Sequence, residues 1–511
     1  MSIDARASAH PNAPFLIAPE ARSTLDYSGL RRRCQALEAK LAGLGRAPGD
    51  KVALLLDNGS WTTSLFLGTM YAGLVAVPVN AAAGFASVRH ILEHSDTNIL
   101  FCAKTYRAQY ASAIAACPRP LTCIETDEDA GPHWDHVDTP ATPAVSIAPT
   151  DDALLLYTSG TTGTPKGAQL SHRAVLAGGR NTALAHALTP TDRALCVLPL
   201  YHINGEIVTV MGPLVSGGSV VMPHRFRASE FWRLVMREQC TWASLVPTII
   251  SYLLDRATRI EADGAIDFQD SPKLAQLRFA RSASAPLPAS IQRRFEDMFG
   301  IPMIETMGLT ETCAPILSNP LPPGARKPGS PGIAFGNDVV IADAQGQPVA
   351  DQITGELLVR GDNVLSGYYK NDQASRTAFW PGGWFRTGDI GYRDHDGYLF
   401  ITGRLKELII KGGENIAPRE IDDALYRHDA VLEAAAFGVD DERYGQDIQA
   451  CVRLREGCQV DEQQIIEHCQ HYVGVFKSPS RVHFLESLPK GPSGKIQRLK
   501  LSALVADRLA R

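Results

Sequence analysis

From residue 51 to about residue 310, short apolar runs alternate with helix-length amphipathic segments, and this pattern constrains the fold more than any other feature. KVALLLD, LVAVPV, NILFC, ALLLYT, ALCVLPL, SVVMP, WASLVP and LRFARS read as strands. Segments such as 231–239 and 291–299 read as helices between them. Nearly continuous apolar strands separated by helices build layered, mostly parallel sheets covered on both faces. Folds of this α/β class collect ligands at the carboxyl ends of their strands.

One stretch tests a membrane reading. No charge lies between Asp57 and Arg89, and a spanning helix needs about 20 mostly apolar residues. Gly68, Gly73, Pro78 and Asn80 interrupt the run. It divides into a helix near 60–74 and a strand VAVPV, as a buried βαβ unit does. The start of the chain lacks the basic-then-apolar order of a secretion signal. Residues 118–150, rich in Pro, Thr and Asp, read as a surface connection. From about 320 to 400, Gly- and Pro-rich turns separate short β-prone runs, which implies a small β subdomain. A smaller mixed α/β region follows Arg404. The expected division is therefore 1–405, with the β subdomain at about 320–403, and 406–511.

Composition removes several classes of function. Fifty Lys+Arg face 55 Asp+Glu, for a net charge of −5, without the basic excess of a chain built around nucleic acid. The 10 cysteines are scattered singly with no CxxC pair. That argues for reduced thiols in the cytoplasm rather than a disulfide scaffold. No histidine cluster has metal-ligand spacing.

The strongest local signal follows ALLLY: Thr158, Ser159, Gly160, Thr161, Thr162, Gly163, Thr164, Pro165, Lys166 and Gly167. Hydroxyls, glycines and one lysine directly after a strand are the chemistry of a polyphosphate cradle. The run is not a Walker A loop, because Pro165 stands where that motif needs its second glycine. Ser171, His172 and Arg173 open a predicted helix.

This run resembles the phosphate signature of adenylate-forming enzymes: acyl-CoA synthetases, adenylation domains and luciferases. Four later segments resemble the family in the same order: MIETMGLTET at 303–312, WFRTGD at 384–389, GRLKE with KGGENI at 403–416, and PKGPSGKIQR at 489–498. The resemblance covers nearly the whole chain and is closest to free-standing acyl-CoA synthetases. It implies a two-step ligase using ATP, Mg²⁺ and coenzyme A. A small carboxylic acid attacks the α-phosphorus, pyrophosphate leaves, and a thiol then takes the acyl group. Both first-step reactants are anions, so catalysis must neutralise and align them.

The resemblance also implies roles. Lys166 neutralises phosphate charge, Glu311 holds Mg²⁺ beside the phosphates, and Thr310 meets the α-phosphate. Asp389 accepts the ribose hydroxyls, and Arg404 reaches the ribose or phosphate. Ser284, Ala285 and Pro286 line the adenine. Met307 stands where the family usually carries a stacking aromatic, next to Gly308. Lys495 serves the first half-reaction. Lys406 is a hinge that later swings Lys411, Gly412 and Gly413 in beside the pantetheine arm. Tyr201, His202, Asn204 and Gly205, with Pro247, Met307 and Gly308, would wall the acid pocket, His202 gating the thiol tunnel.

The segment Tyr201–His202–Ile203–Asn204 is similar to carnitine- and crotonobetaine-type CoA ligases, while other parts are as similar to fatty-acyl and to oxalyl- or malonyl-type ligases. Without a long apolar groove, a short or medium acid is expected. Arg281 is read as part of its strand's structural surroundings, with a second substrate carboxylate as the alternative partner. The alternative thiol acceptor is a carrier-protein phosphopantetheine. Monomer and homodimer are equally open, and no membrane span or nucleic-acid partner is expected.

Overall fold

The computed structural model describes residues 3–134, 146–158, 165–262, 274, 276–491 and 496–509. Among these, strands form four sheets of nine, eight, five and five strands.

The nine-stranded sheet has a parallel centre: Ser219–Val221, Arg193–Cys196, Trp242–Leu245, Phe279–Ser282 and Met303–Met307 lie side by side. The N-terminal strand Pro14–Ala18, which the alternating pattern after residue 51 did not reveal, joins it in parallel through Ser219–Val221. In the eight-stranded sheet, Ile99–Cys102, Lys51–Leu55, Val75–Pro78 and Asp152–Thr158 run parallel. Their side chains are almost wholly buried, as parallel strands covered on both faces require.

One core cluster joins the two large sheets. Leu16, Trp242, Phe279 and Ile304 of the first share it with Val52, Leu54, Phe101 and Leu154 of the second. Helices Ser60–Tyr71 and Tyr27–Gly43 contribute Phe66, Leu67, Leu30 and Leu37 to the same cluster. The uncharged stretch is thus interior helix and strand, and among the described residues no helix is long and apolar enough to cross a membrane.

Two local readings change. The strands on either side of the phosphate run pair with each other antiparallel. Asp152–Thr158 pairs with Lys166–Ser171, with Thr158 opposite Lys166, before the helix His172–Ala185 begins. The Ser171 hydroxyl caps that helix by accepting from the Ala174 amide at 3.2 Å. Within 118–150, Thr122–Asp127 and Gly131–Pro132 are strands that extend the eight-stranded sheet. The pattern missed them because pairing near a sheet edge leaves alternate residues of Thr122–Asp127 polar.

The third sheet, from Asp338–Ala342 to Leu399–Arg404, is antiparallel throughout. The fourth takes all its strands from residues after Lys406, beginning at Ile409–Lys411, and has its own core around Ile409, Ile421, Val452 and Ile465.

Candidate active site

Four neighbouring strands of the nine-stranded sheet end at one cavity region. Arg193–Cys196 leads to Tyr201 and His202, and Trp242–Leu245 leads to Pro247 and Thr248. Phe279–Ser282 leads to Ser284, and Met303–Met307 leads to Gly308, Thr310 and Glu311. The main cavity, about 1000 Å³, is closed from the other sheet by Thr158 and Lys166.

At the phosphate end, three residues form a relay. Tyr368 donates its hydroxyl to Glu311 Oε1 at 3.0 Å. The Lys166 ammonium lies 5.4 Å from the centre of the Tyr368 ring. Burial and the Glu311 carboxylate push the Tyr368 phenol up, which keeps it a hydrogen-bond donor. The pairing of Gly367–Tyr368 with the outer arm of the hairpin brings these parts together: Tyr368 faces Ala168 in register. Among the described residues no three His, Cys, Asp or Glu side chains cluster as a metal cage. A single cavity-facing carboxylate fits Mg²⁺, which keeps several waters and takes its other ligands from phosphate oxygens.

A narrower cavity of about 200 Å³ shares Ser284, Gly308 and Arg404 with the first. Ser284, Ala285 and Pro286 line it together with Thr306, Met307 and Gly308. A Cβ on Gly308 would sit 2.8 Å from Ala314 Cα, so the close turn demands glycine. Asp389 is 4% exposed and faces Arg404 across an antiparallel pair. Arg404 Nε donates to Asp389 Oδ1 at 2.8 Å, which raises the guanidinium above its usual range.

At the acid end, Tyr201 and His202 line both the main cavity and a neighbouring one of about 280 Å³. His202 accepts the Asn204 amide on Nδ1 at 3.3 Å, and burial pushes the imidazole down to about 4. It is therefore a neutral partition at neutral pH. The segment Asn204–Met211 winds as a π-helix. Asn204 accepts from Ser244 at 2.8 Å and from Arg281 at 2.7 Å.

The family model described as AMP-binding enzyme matches residues 3–369, and its companion, AMP-binding enzyme C-terminal domain, matches residues 420–495. This chain belongs to the AMP-binding enzyme family. It is 47% identical to a sulfoacetate–CoA ligase of Cupriavidus necator, over 98% of this chain and 96% of that one. It is 38% identical to an oxalate–CoA ligase of Arabidopsis thaliana, over 91% of this chain and 90% of that one. Its fold superposes on ATP-bound MatB from Rhodopseudomonas palustris with a TM-score of 0.86 at 28% identity, covering 99% of this chain and 100% of the other.

Most of the residues singled out in the sequence converge in this AMP-binding enzyme. Thr158, Lys166, Tyr201, His202, Asn204, Ser284, Gly308, Thr310, Glu311, Arg404 and Lys406 all line the main cavity. Met307, Ala285, Pro286, Pro247 and Asp389 line the narrower cavity. Gly205 acts behind the wall, where a Cβ would meet the Pro199 carbonyl at 2.4 Å. Ser159, Gly160, Thr161, Thr162, Gly163 and Lys495 lie outside the described residues. Gly491 and Gln497, which flank Lys495 in sequence, line the main cavity. Lys411 does not line it: its ammonium pairs with Asp447 at 2.8 Å beside the Gly412–Gly413 turn, where both glycines have positive φ. Sequence reasoning missed Tyr368, whose only signal was the short GYY run after the β-prone segments.

Proposed function

We propose that this enzyme activates a short carboxylic acid carrying a second anionic group, with sulfoacetate the leading candidate. The enzyme is an ATP-dependent carboxylic acid–CoA ligase and uses ATP, Mg²⁺ and coenzyme A. The 47% identity to a sulfoacetate–CoA ligase, spread over nearly the whole of both chains, carries the choice of acid. The oxalate–CoA ligase at 38% identity supports a small, doubly charged substrate. Both relatives are named for transfer to CoA, which weighs against a carrier protein as acceptor.

The geometry suits a two-step reaction. ATP would place its base between Ser284–Pro286 and Met307, its ribose at Asp389 and its phosphates toward Lys166 and Thr310. Glu311 would hold Mg²⁺, with Tyr368 orienting that carboxylate. Bound there, Mg²⁺ draws charge from the phosphate oxygens. One carboxylate oxygen of the acid then attacks the α-phosphorus, and the bond to pyrophosphate breaks. Lys166, and Lys495 from the loop whose flanks line the cavity, offset the negative charge that crowds this step. In the second step the CoA thiol, losing its proton, attacks the acyl carbon and AMP leaves. His202 stands between the acid cavity and the adjoining one, a position suited to admitting the thiol after adenylation.

The arrangement at hand matches the first step, because Lys490, Gly491 and Gln497 line the cavity while Lys411 does not. We assign the hinge to Lys406, between the strands Leu399–Arg404 and Ile409–Lys411. The 10 cysteines are all free, which suits a cytoplasmic enzyme.

Pyrophosphate release over a panel of short acids, with and without CoA, tests the reading. Sulfoacetate, malonate and oxalate are expected to outperform acetate and octanoate, with release becoming catalytic only when CoA is present. Absence of pyrophosphate release with every acid overturns the ligase reading.

A further inference from the structure

Arg281 is 1% exposed, and every partner of its guanidinium is a neutral oxygen. Nη1 donates to Asn204 Oδ1 at 2.7 Å and to Ser244 Oγ at 2.9 Å, and Nη2 donates to Thr306 Oγ1. Among the described residues its Nε has no hydrogen-bond partner, and neither has Asn204 Nδ2, although Asn204 is only 2% exposed. Both residues line the main cavity: Asn204 follows His202 in the chain, and Arg281 lies on the strand between the one that leads to Pro247 and the one that leads to Thr310 and Glu311. Among the described residues no carboxylate forms an ion pair with Arg281. Glu206, on the same π-helix as Asn204, is buried without a hydrogen-bond partner, and burial pushes its carboxyl well above the usual range, so it does not serve as counter-ion.

A buried cation without an anion is costly, and structural guanidinium groups are normally paired. The orphaned atoms of Arg281 and Asn204 are both donors, and both residues line the cavity. Burial pushes the guanidinium down to about 9, which still leaves it charged at neutral pH. Ser244 and Thr306 pin its fork from two neighbouring strands, so the side chain is preorganised before any ligand arrives.

We infer that Arg281 and Asn204 form the subsite that binds the second anionic group of the acid, a sulfonate or carboxylate, and so set substrate choice. This rests on the ligase reading above. It replaces the structural role that the sequence suggested for Arg281. The acid would lie with its reacting carboxylate toward Thr310 and its second anion toward Arg281. A neutral tail would leave the guanidinium unpaired, and a site that loses a buried polar partner rejects the wrong ligand strongly.

The test compares isosteres on the full-length enzyme with ATP, Mg²⁺ and CoA. Methylsulfonylacetate has nearly the shape of sulfoacetate without the second charge, and monomethyl malonate relates to malonate in the same way. In the wild type, kcat/KM for each doubly charged acid is expected to exceed that of its partner by about a hundredfold. Arg281→Met should lower kcat/KM for sulfoacetate by about a hundredfold, chiefly through KM, and move methylsulfonylacetate by less than about threefold. Arg281→Lys should lose about tenfold, since the ammonium keeps the charge but not the fork. Nucleotide binding by calorimetry reports whether each variant is folded, and the wild-type comparison decides the matter if neither is. Equal use of charged and uncharged isosteres, or an equal loss on both in Arg281→Met, overturns the subsite while leaving the ligase reading intact. No turnover of any acid by the wild type overturns both.

Discussion

Tyr368 links three charged or polar features that lie far apart in the chain: the Lys166 ammonium, the Glu311 carboxylate and the edge of the phosphate hairpin. Removing its hydroxyl frees Glu311 to rotate without disturbing the ring packing. Tyr368→Phe is therefore expected to lower adenylation about three- to tenfold, the worth of one hydrogen bond to a charged group. The loss should shrink as Mg²⁺ is raised in pyrophosphate-release assays. An effect independent of Mg²⁺ would remove Tyr368 from the metal end. Lys166, Glu311, Asp389 and Arg404 were legible in the sequence because each sits in a short run whose residue order carries its chemistry. Tyr368 was not, and Arg281 was named with a structural role preferred and a second substrate carboxylate as the alternative. Their surroundings come from strands that pair across long stretches of chain, Tyr368 with Ala168 and Arg281 with Ile304. No local pattern encodes such a neighbour.

The π-helix Asn204–Met211 shows how an element can serve one side chain. Its wider turn is the kind found at functional sites, and it presents Asn204 to Arg281 while Gly205 passes against the Pro199 carbonyl. Gly205→Ala has no space: its Cβ would lie 2.4 Å from that oxygen. The expected cost is about 1–3 kcal/mol, the usual range for overpacking. It should appear as a lower melting temperature together with a raised KM for the acid, because Asn204 moves with its neighbour. Unchanged melting would show that the turn can shift freely. The central strands were legible because buried parallel strands must be apolar along their whole length. The hairpin at 152–171 was not, since a glycine-rich tip reads the same whether a helix or a returning strand follows. The turn signals of Gly and Pro similarly marked the antiparallel sheet at 338–404 without its register.

At the scale of the whole molecule, the proposed two-step reaction would present two different surroundings to one cavity. We place the turning point at Lys406. Lys406→Pro, with φ restricted, is expected to leave pyrophosphate release in a single turnover within about threefold and to slow thioester formation by more than about a hundredfold. Equal slowing of both steps would locate the turning point elsewhere. Polar contacts join the large region to the residues beyond Lys406. Arg419 donates to the carbonyl oxygens of Ile401 and Gly329, Arg455 pairs with Asp255, and Lys490 sits 5.9 Å from the Tyr252 ring centre. Water and dissolved ions satisfy every one of these partners. Parting such a seam exchanges one set of hydrogen bonds for another, at little net cost. If the proposed hinge turns, the ionic strength of the medium becomes one of the quantities expected to set how often the seam opens.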